Sequence, residues 1–185
     1  MSIPAVESDI RSPYCIFLAH CLLAQAVHAR GVARHFPAAV KPVVQFCLDH
    51  DINMIQMPCP EVLCPAGGLG REPRGKLWYE NRGLRVTSRT VAIEQVAYMK
   101  QILDEGLVIL GIVGLEFSPA CAVNLLNRGR RVVRDTGIYI EELDAAMKQA
   151  GLNIPFVGVN KRGLKKLAKE LNARLPQRVA DAAQE

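Results

Sequence analysis

Six cysteines are the residues of this 185-residue chain best suited to chemistry, and their surroundings divide them. Cys21 ends "IFLAHC", Cys59 ends "MIQMPC" and Cys121 ends "VGLEFSPAC", each just beyond a short apolar run. Cys15 lies inside such a run and Cys47 on the apolar line of a helical pattern, so both read as small core hydrophobes. A thiol that follows a strand stands in a loop, free to ligate or react. Three thiolates meeting at one point are soft donors that suit zinc or an iron–sulfur cluster, with the metal driving deprotonation. Three protein ligands without a fourth leave an open position of the kind catalytic metals keep. Cys64, on the same loop as Cys59, reads either as a fourth ligand or as a loop thiol, and no pair of cysteines has CxxC spacing. His20 is a reserve ligand or proton carrier, while His28 and His35 read as surface histidines.

The elements that must position these thiols follow from hydrophobic patterning. Four apolar, β-branched-rich stretches, Tyr14 to Ala19, Asn53 to Met57, Leu107 to Val113 and Ile154 to Val159, alternate with helical patterns. This predicts an α/β fold: a single Rossmann-like domain with a mostly parallel sheet of about four to five strands and helices on both faces. Helices are expected over Ala38 to His50, Thr87 to Glu105, Ile140 to Ala150 and Leu164 to Leu175. The domain should span residues 13–176, with tails at 1–12 and 177–185. Gly67 to Val86 and Phe117 to Thr136 read as irregular, and long loops in a compact domain are usually functional. In open α/β sheets ligands bind beyond the carboxyl ends of the strands, where the three cysteine-bearing loops would converge. The glycines of "LGIVG" and "GGLG" lack the GxGxxG fingerprint of dinucleotide sites and read as points of close backbone approach.

Composition fits this picture. Hydrophobic residues make up 50% and charged residues 22%, as in a folded globular protein. The net charge of +5, from 23 Lys and Arg against 18 Asp and Glu, permits attraction to anions including RNA but reads as a basic, solvated surface. The N-terminus MSIPAVESDIRSPY has no apolar core behind a basic start, and no run approaches the roughly 18 apolar residues of a membrane span. A cytoplasmic protein without membrane partners is expected, and in a reducing compartment its cysteines serve packing, metal or catalysis rather than disulfides.

Three motifs carry a resemblance. "HCLL" at 20–23, "PCPE" at 58–61 and "SPAC" at 118–121 resemble, in order and spacing, the thiouracil desulfidase family, whose pattern is a Cys-Leu-Leu turn, a Cys-Pro-Glu and a Ser-Pro-x-Cys. "GGLGREPRGKLWYE" is similar to the family's glycine-rich turn followed by Pro-Arg, and looser likeness runs through "TGIYIEEL" and "IPFVGV", covering most of residues 14–160. The resemblance implies a 4Fe-4S cluster held by Cys21, Cys59 and Cys121, with one iron lacking a protein ligand. It also implies removal of sulfur from thiocarbonyl compounds such as 2-thiouracil, giving the oxo compound and sulfide without net redox chemistry. The third family motif usually reads Ser-Pro-Ser-Cys-Gly after small residues. Here Phe117 precedes Ser118, and Ala120 and Ala122 replace the serine and glycine, which alters the pocket wall and leaves the substrate as a small thiolated heterocycle. Thiolated nucleosides or tRNA are further partners this chemistry admits.

Within that reading Glu61 is the expected general base, fixed by the turn that carries Cys59, with Glu116 and His20 in reserve. Ser118 is expected to donate to the substrate or to cap the turn after Pro119. Arg74, Trp78 and Tyr79 could stack on a planar base or anchor their loop. Two alternatives stand beside the desulfidase: a cluster-bearing sulfur carrier or thiolated-RNA binding protein without turnover, and a structural zinc site made by Cys59, Cys64 and two partners.

Overall fold

The computed structural model describes residues 10–160. The helix expected over Leu164 to Leu175 and the C-terminal tail lie outside them. In chain order the elements are β1 (Tyr14–Ala19), α1 (His20–Leu23), α2 (Lys41–Asp49), β2 (Asn53–Met57), α3 (Pro60–Leu63), α4 (Lys76–Glu80), α5 (Leu84–Asp104), β3 (Val108–Leu115), β4 (Leu125–Arg128), β5 (Arg131–Arg134), α6 (Ile138–Gln149) and β6 (Phe156–Val159). No helix among the described residues is long and apolar enough to cross a membrane.

The four apolar runs become one parallel sheet in the order β2-β1-β3-β6. Successive strand side chains point to opposite faces, and Cys15 to Ala19 of β1 are all buried, as are Ile109 to Leu115 of β3. Both faces of the central strands are therefore covered, which is why their sequences run apolar without alternation. After β1 the chain moves to β2 on one side, then returns to β3 on the other, so a switch point opens between the carboxyl ends of β1 and β3.

Helix α5 begins earlier than its periodicity suggests, at Leu84, because Gly83 at φ 89° delivers the chain into the helix in a left-handed conformation. Its buried stripe of Leu84, Ser88, Val91, Gln95, Met99 and Ile102 follows the helical repeat.

Both stretches expected to be irregular contain structure. The first holds the short helix α4. The second holds the antiparallel pair β4 and β5, joined through Gly129 at φ 61°, the glycine-first turn that two-residue hairpins favour. The hairpin escapes a hydrophobicity reading because its residues are mostly exposed and rich in arginine.

Ion pairs lock α4, α5 and α6 together. Lys76 Nζ donates to Asp135 Oδ1 at 3.1 Å, Glu141 Oε1 at 2.6 Å and the Thr136 carbonyl at 2.7 Å. Arg85 bridges Glu80, Glu141 and Glu142, and Arg89 reaches the second Glu142 oxygen at 2.8 Å. Burial pushes the Glu142 carboxyl up, but the bonds from Arg89 and Arg85 outweigh it and the net shift is downward. A depressed folded-state pKa contributes stability above the unfolded value that is lost as pH falls through the folded one. Glu142→Gln should therefore lower the urea midpoint at neutral pH and flatten its decline between about pH 5 and pH 3. Parallel wild-type and variant curves would show that Glu142 does not contribute to acid sensitivity.

Candidate functional site

Cys21, Cys59 and Cys121 follow β1, β2 and β3, three adjacent strands, and the topology brings all three to one edge of the sheet. They line a single cavity of about 550 Å³ together with Glu61, Arg71 and Ser118, within the range of small-molecule and cofactor sites. No disulfide joins any of the six cysteines.

Each loop is built locally. The one-turn helix α1 carries Cys21, whose carbonyl accepts a bond from the buried Gln25 Nε2. At the second loop Cys59 precedes Pro60 at the first position of α3, where a missing N–H is harmless. The Glu61 carbonyl accepts the Gly68 N–H at 3.1 Å, and a Cβ on Gly67 would stand 1.7 Å from that same oxygen. Close approach explains Gly67, and a left-handed φ of 106° explains Gly68, so neither glycine needs a nucleotide to account for it. In the third loop Ser118 Oγ accepts the N–H groups of Cys121 at 3.0 Å and Ala120 at 3.3 Å. A Cβ on Gly114 would lie 2.2 Å from the Cys121 carbonyl oxygen, so only glycine lets this loop fold back on β3.

Polar contacts join the three loops. Ser118 Oγ donates to Glu61 Oε1 at 3.0 Å, and Arg71 donates to Glu61 Oε2 from Nη2 at 2.9 Å and Nε at 3.2 Å. A second Arg71 nitrogen, Nη1, reaches the Val27 carbonyl at 2.7 Å, on the segment that follows Cys21. Glu61 is thus not an isolated carboxylate in an apolar pocket. Both of its oxygens are engaged, and its side chain is 9% exposed.

The thiols influence one another. Burial pushes the Cys121 thiol well above its ordinary range, and the charges of Cys21, Cys59 and Glu61 push the same way against a partly compensating bond from Ser118. Burial likewise raises Cys59, with Glu61 adding to it and the Val62 N–H and Arg71 opposing. Bringing the three together as thiolates without a cation is unfavourable, and a bound metal would supply what ionises them. No three Cys, His, Asp or Glu side chains among the described residues sit closely enough to hold one metal ion. Three thiols are a soft donor set of the kind that iron–sulfur clusters take.

Other expected residues divide clearly. Cys15 and Cys47 are core residues, and burial pushes the Cys47 thiol up to about 11. Cys64 turns away from the cavity, buried with its Sγ 3.4 Å from the Arg82 carbonyl, so the zinc site built on it with Cys59 has no support. His20 lines the cavity, and burial lowers its pKa, leaving a neutral imidazole at neutral pH. Glu116 also lines it, but its carboxylate is occupied: Oε2 accepts the N–H groups of Asn124 and Leu125 and Oε1 accepts Asn124 Nδ2. Of the residues expected to stack on a base, Arg74 lines the cavity, whereas Tyr79 is buried and Trp78 carries the Arg82 guanidinium 4.3 Å over its ring. Sequence reading passed over Arg71, which shares the "GREPR" fragment with Arg74.

Fold and site together define an open parallel α/β protein with a three-thiol centre at its switch point. No family model matches the chain, and no curated protein matches it. Among solved structures, a 4Fe-4S-dependent thiouracil desulfidase is 20% identical, with a TM-score of 0.44 over 86% of this chain and 99% of that one.

Phe117, beside Ser118 on the cavity wall, adopts φ 67°, a left-handed conformation that an aromatic residue rarely takes. Phe117→Gly and Phe117→Ala both remove the ring, but only glycine relieves the backbone. Thermal or urea unfolding should therefore place the glycine variant about 1 kcal/mol above the alanine variant. Equal stabilities would mean that the backbone relaxes without cost.

Proposed function

We propose that this protein is an iron–sulfur-dependent desulfidase that binds a 4Fe-4S cluster through Cys21, Cys59 and Cys121. It would act in the cytoplasm on a small thiocarbonyl compound, a thiolated base or nucleoside of the 2-thiouracil kind. The observation that carries this reading is the convergence of three strand-end thiols on one cavity beside a buried carboxylate. The net exchange converts C=S and water into C=O and hydrogen sulfide, so no electrons are supplied or removed.

When bound, the cluster supplies an iron without a protein ligand, a soft Lewis acid suited to a thiocarbonyl sulfur. The chain's own residues do the remainder. Glu61 accepts the proton of the attacking water through Oε1, which takes only the Ser118 hydroxyl and retains acceptor capacity, whereas Oε2 already takes two bonds from Arg71. Ser118 orients Glu61 Oε1 and, by reorienting its hydroxyl, can donate to the substrate. Leu115, Val32 and Leu126 on the cavity wall exclude bulk water from the reacting atoms.

A specific observation favours a second reading, a sulfur carrier or thiolated-RNA binding protein. The β4–β5 hairpin carries Arg128, Arg130, Arg131 and Arg134, all exposed. Beside it lies a second cavity of about 560 Å³, lined by Trp78 and Arg128 and sharing Lys76 and Asn127 with the first. Guanidinium groups and an aromatic face suit a nucleic-acid strand.

Turnover separates the two. Anaerobically reconstituted protein should release sulfide from at least one member of a panel of thiolated bases and nucleosides, and Glu61→Gln should lower the rate by roughly 10²–10⁴ while the cluster absorbance persists. Binding of thiolated RNA without sulfide release across the panel would favour the carrier.

A further inference from the structure

We propose that Arg71 is a positioning residue that sets the charge of the three-thiol centre and fixes Glu61 and Cys59 against the Cys21 loop. This rests on the cluster reading above. Its side chain is only 7% exposed, yet it is fully engaged: Nε and Nη2 bond to Glu61 Oε2, and Nη1 bonds to the Val27 carbonyl at 2.7 Å and the Gly68 carbonyl at 3.2 Å. Nη2 also lies 4.0 Å from Cys59 Sγ. The Arg71 carbonyl in turn accepts the Arg30 N–H at 2.9 Å, so the contact with the first loop is made from both ends of the residue.

Two consequences follow from general electrostatics. A buried carboxylate and a buried guanidinium are each expensive alone, so Glu61 depends on Arg71 for its place beside the thiols. Ligating thiolates add negative charge next to that carboxylate, and Arg71 is the cation in contact with both. Positive charge and N–H donors near a ligand sulfur stabilise the more reduced form of an iron–sulfur centre, so the reduction potential reports the contact even in a reaction without electron transfer. Lysine would keep the charge but not the planar fork that spans Glu61 Oε2, Val27 and Gly68.

The test compares wild-type, Arg71→Met and Arg71→Lys proteins after anaerobic reconstitution, by iron and sulfide content, midpoint potential and the rate of iron loss to a chelator. Arg71→Met should take up the same number of irons but show a more negative potential and iron loss several-fold faster. Arg71→Lys should recover much of the potential while still losing iron faster than wild type. A methionine variant with wild-type potential and chelator resistance would overturn the proposal. If that variant does not fold, a lysine variant matching wild type in both readouts overturns it, and one with faster iron loss and a nearly restored potential supports it. A wild-type protein that takes up no cluster defeats the cluster reading itself, separately from any difference between variants.

Discussion

The carboxylate of Glu61 is the interaction on which the site depends. One oxygen takes the Ser118 hydroxyl, which itself holds the Cys121 N–H, and the other takes Arg71, which reaches the Val27 carbonyl. A continuous chain of hydrogen bonds therefore runs from the loop of Cys121, through that of Cys59, to the segment after Cys21. Loops far apart in sequence are held in one arrangement by groups that are buried, or half-buried in the case of Ser118, and mutually satisfied. Removing one member of such a chain leaves its neighbours unpaired in a low-dielectric setting, which costs more than the bond itself.

The same arrangement gathers negative charge. Three thiols and a carboxylate share one cavity, and burial together with mutual repulsion pushes the Cys121 and Cys59 thiols up. In the proposed cluster-bound form a soft polynuclear cation would resolve the conflict by ionising the thiols and absorbing their charge. The parallel sheet makes the geometry possible, since β2, β1 and β3 are neighbours and each ends at a cysteine-bearing loop. Gly114 and Gly67 complete it by letting backbone close to within distances that any side chain would block.

Much of this was legible in the sequence, for identifiable reasons. Strand β1 falls where its apolar run places it, because a strand covered on both faces has no choice but to be apolar, and the edge strand β2 keeps its expected bounds although Asn53 and Gln56 are exposed. The cysteines could be sorted by whether they sit inside an apolar run or just beyond it, and burial agrees for Cys15 and Cys47. Arg71 was not legible, because "GREPR" holds two arginines and nothing in local periodicity says which turns inward. The Arg71 side chain is buried at Glu61 while Arg74 lies 5.6 Å from the Trp78 ring. The β4–β5 hairpin was missed for a related reason: an exposed, arginine-rich ribbon has no apolar face to announce it, and its glycine-first turn was the one available signal. The tie between Glu61 and Ser118 is a tertiary contact that neither motif could disclose alone.

The central claim is that Cys21, Cys59 and Cys121 together hold an iron–sulfur cluster, and the direct measurement is the iron and acid-labile sulfide content of protein reconstituted without oxygen. About four of each per chain is the predicted result for wild type and for Cys15→Ala, with loss in each of the Cys21→Ala, Cys59→Ala and Cys121→Ala variants. Stoichiometric zinc without labile sulfide, or a cluster that survives removal of any one of the three thiols, would contradict it.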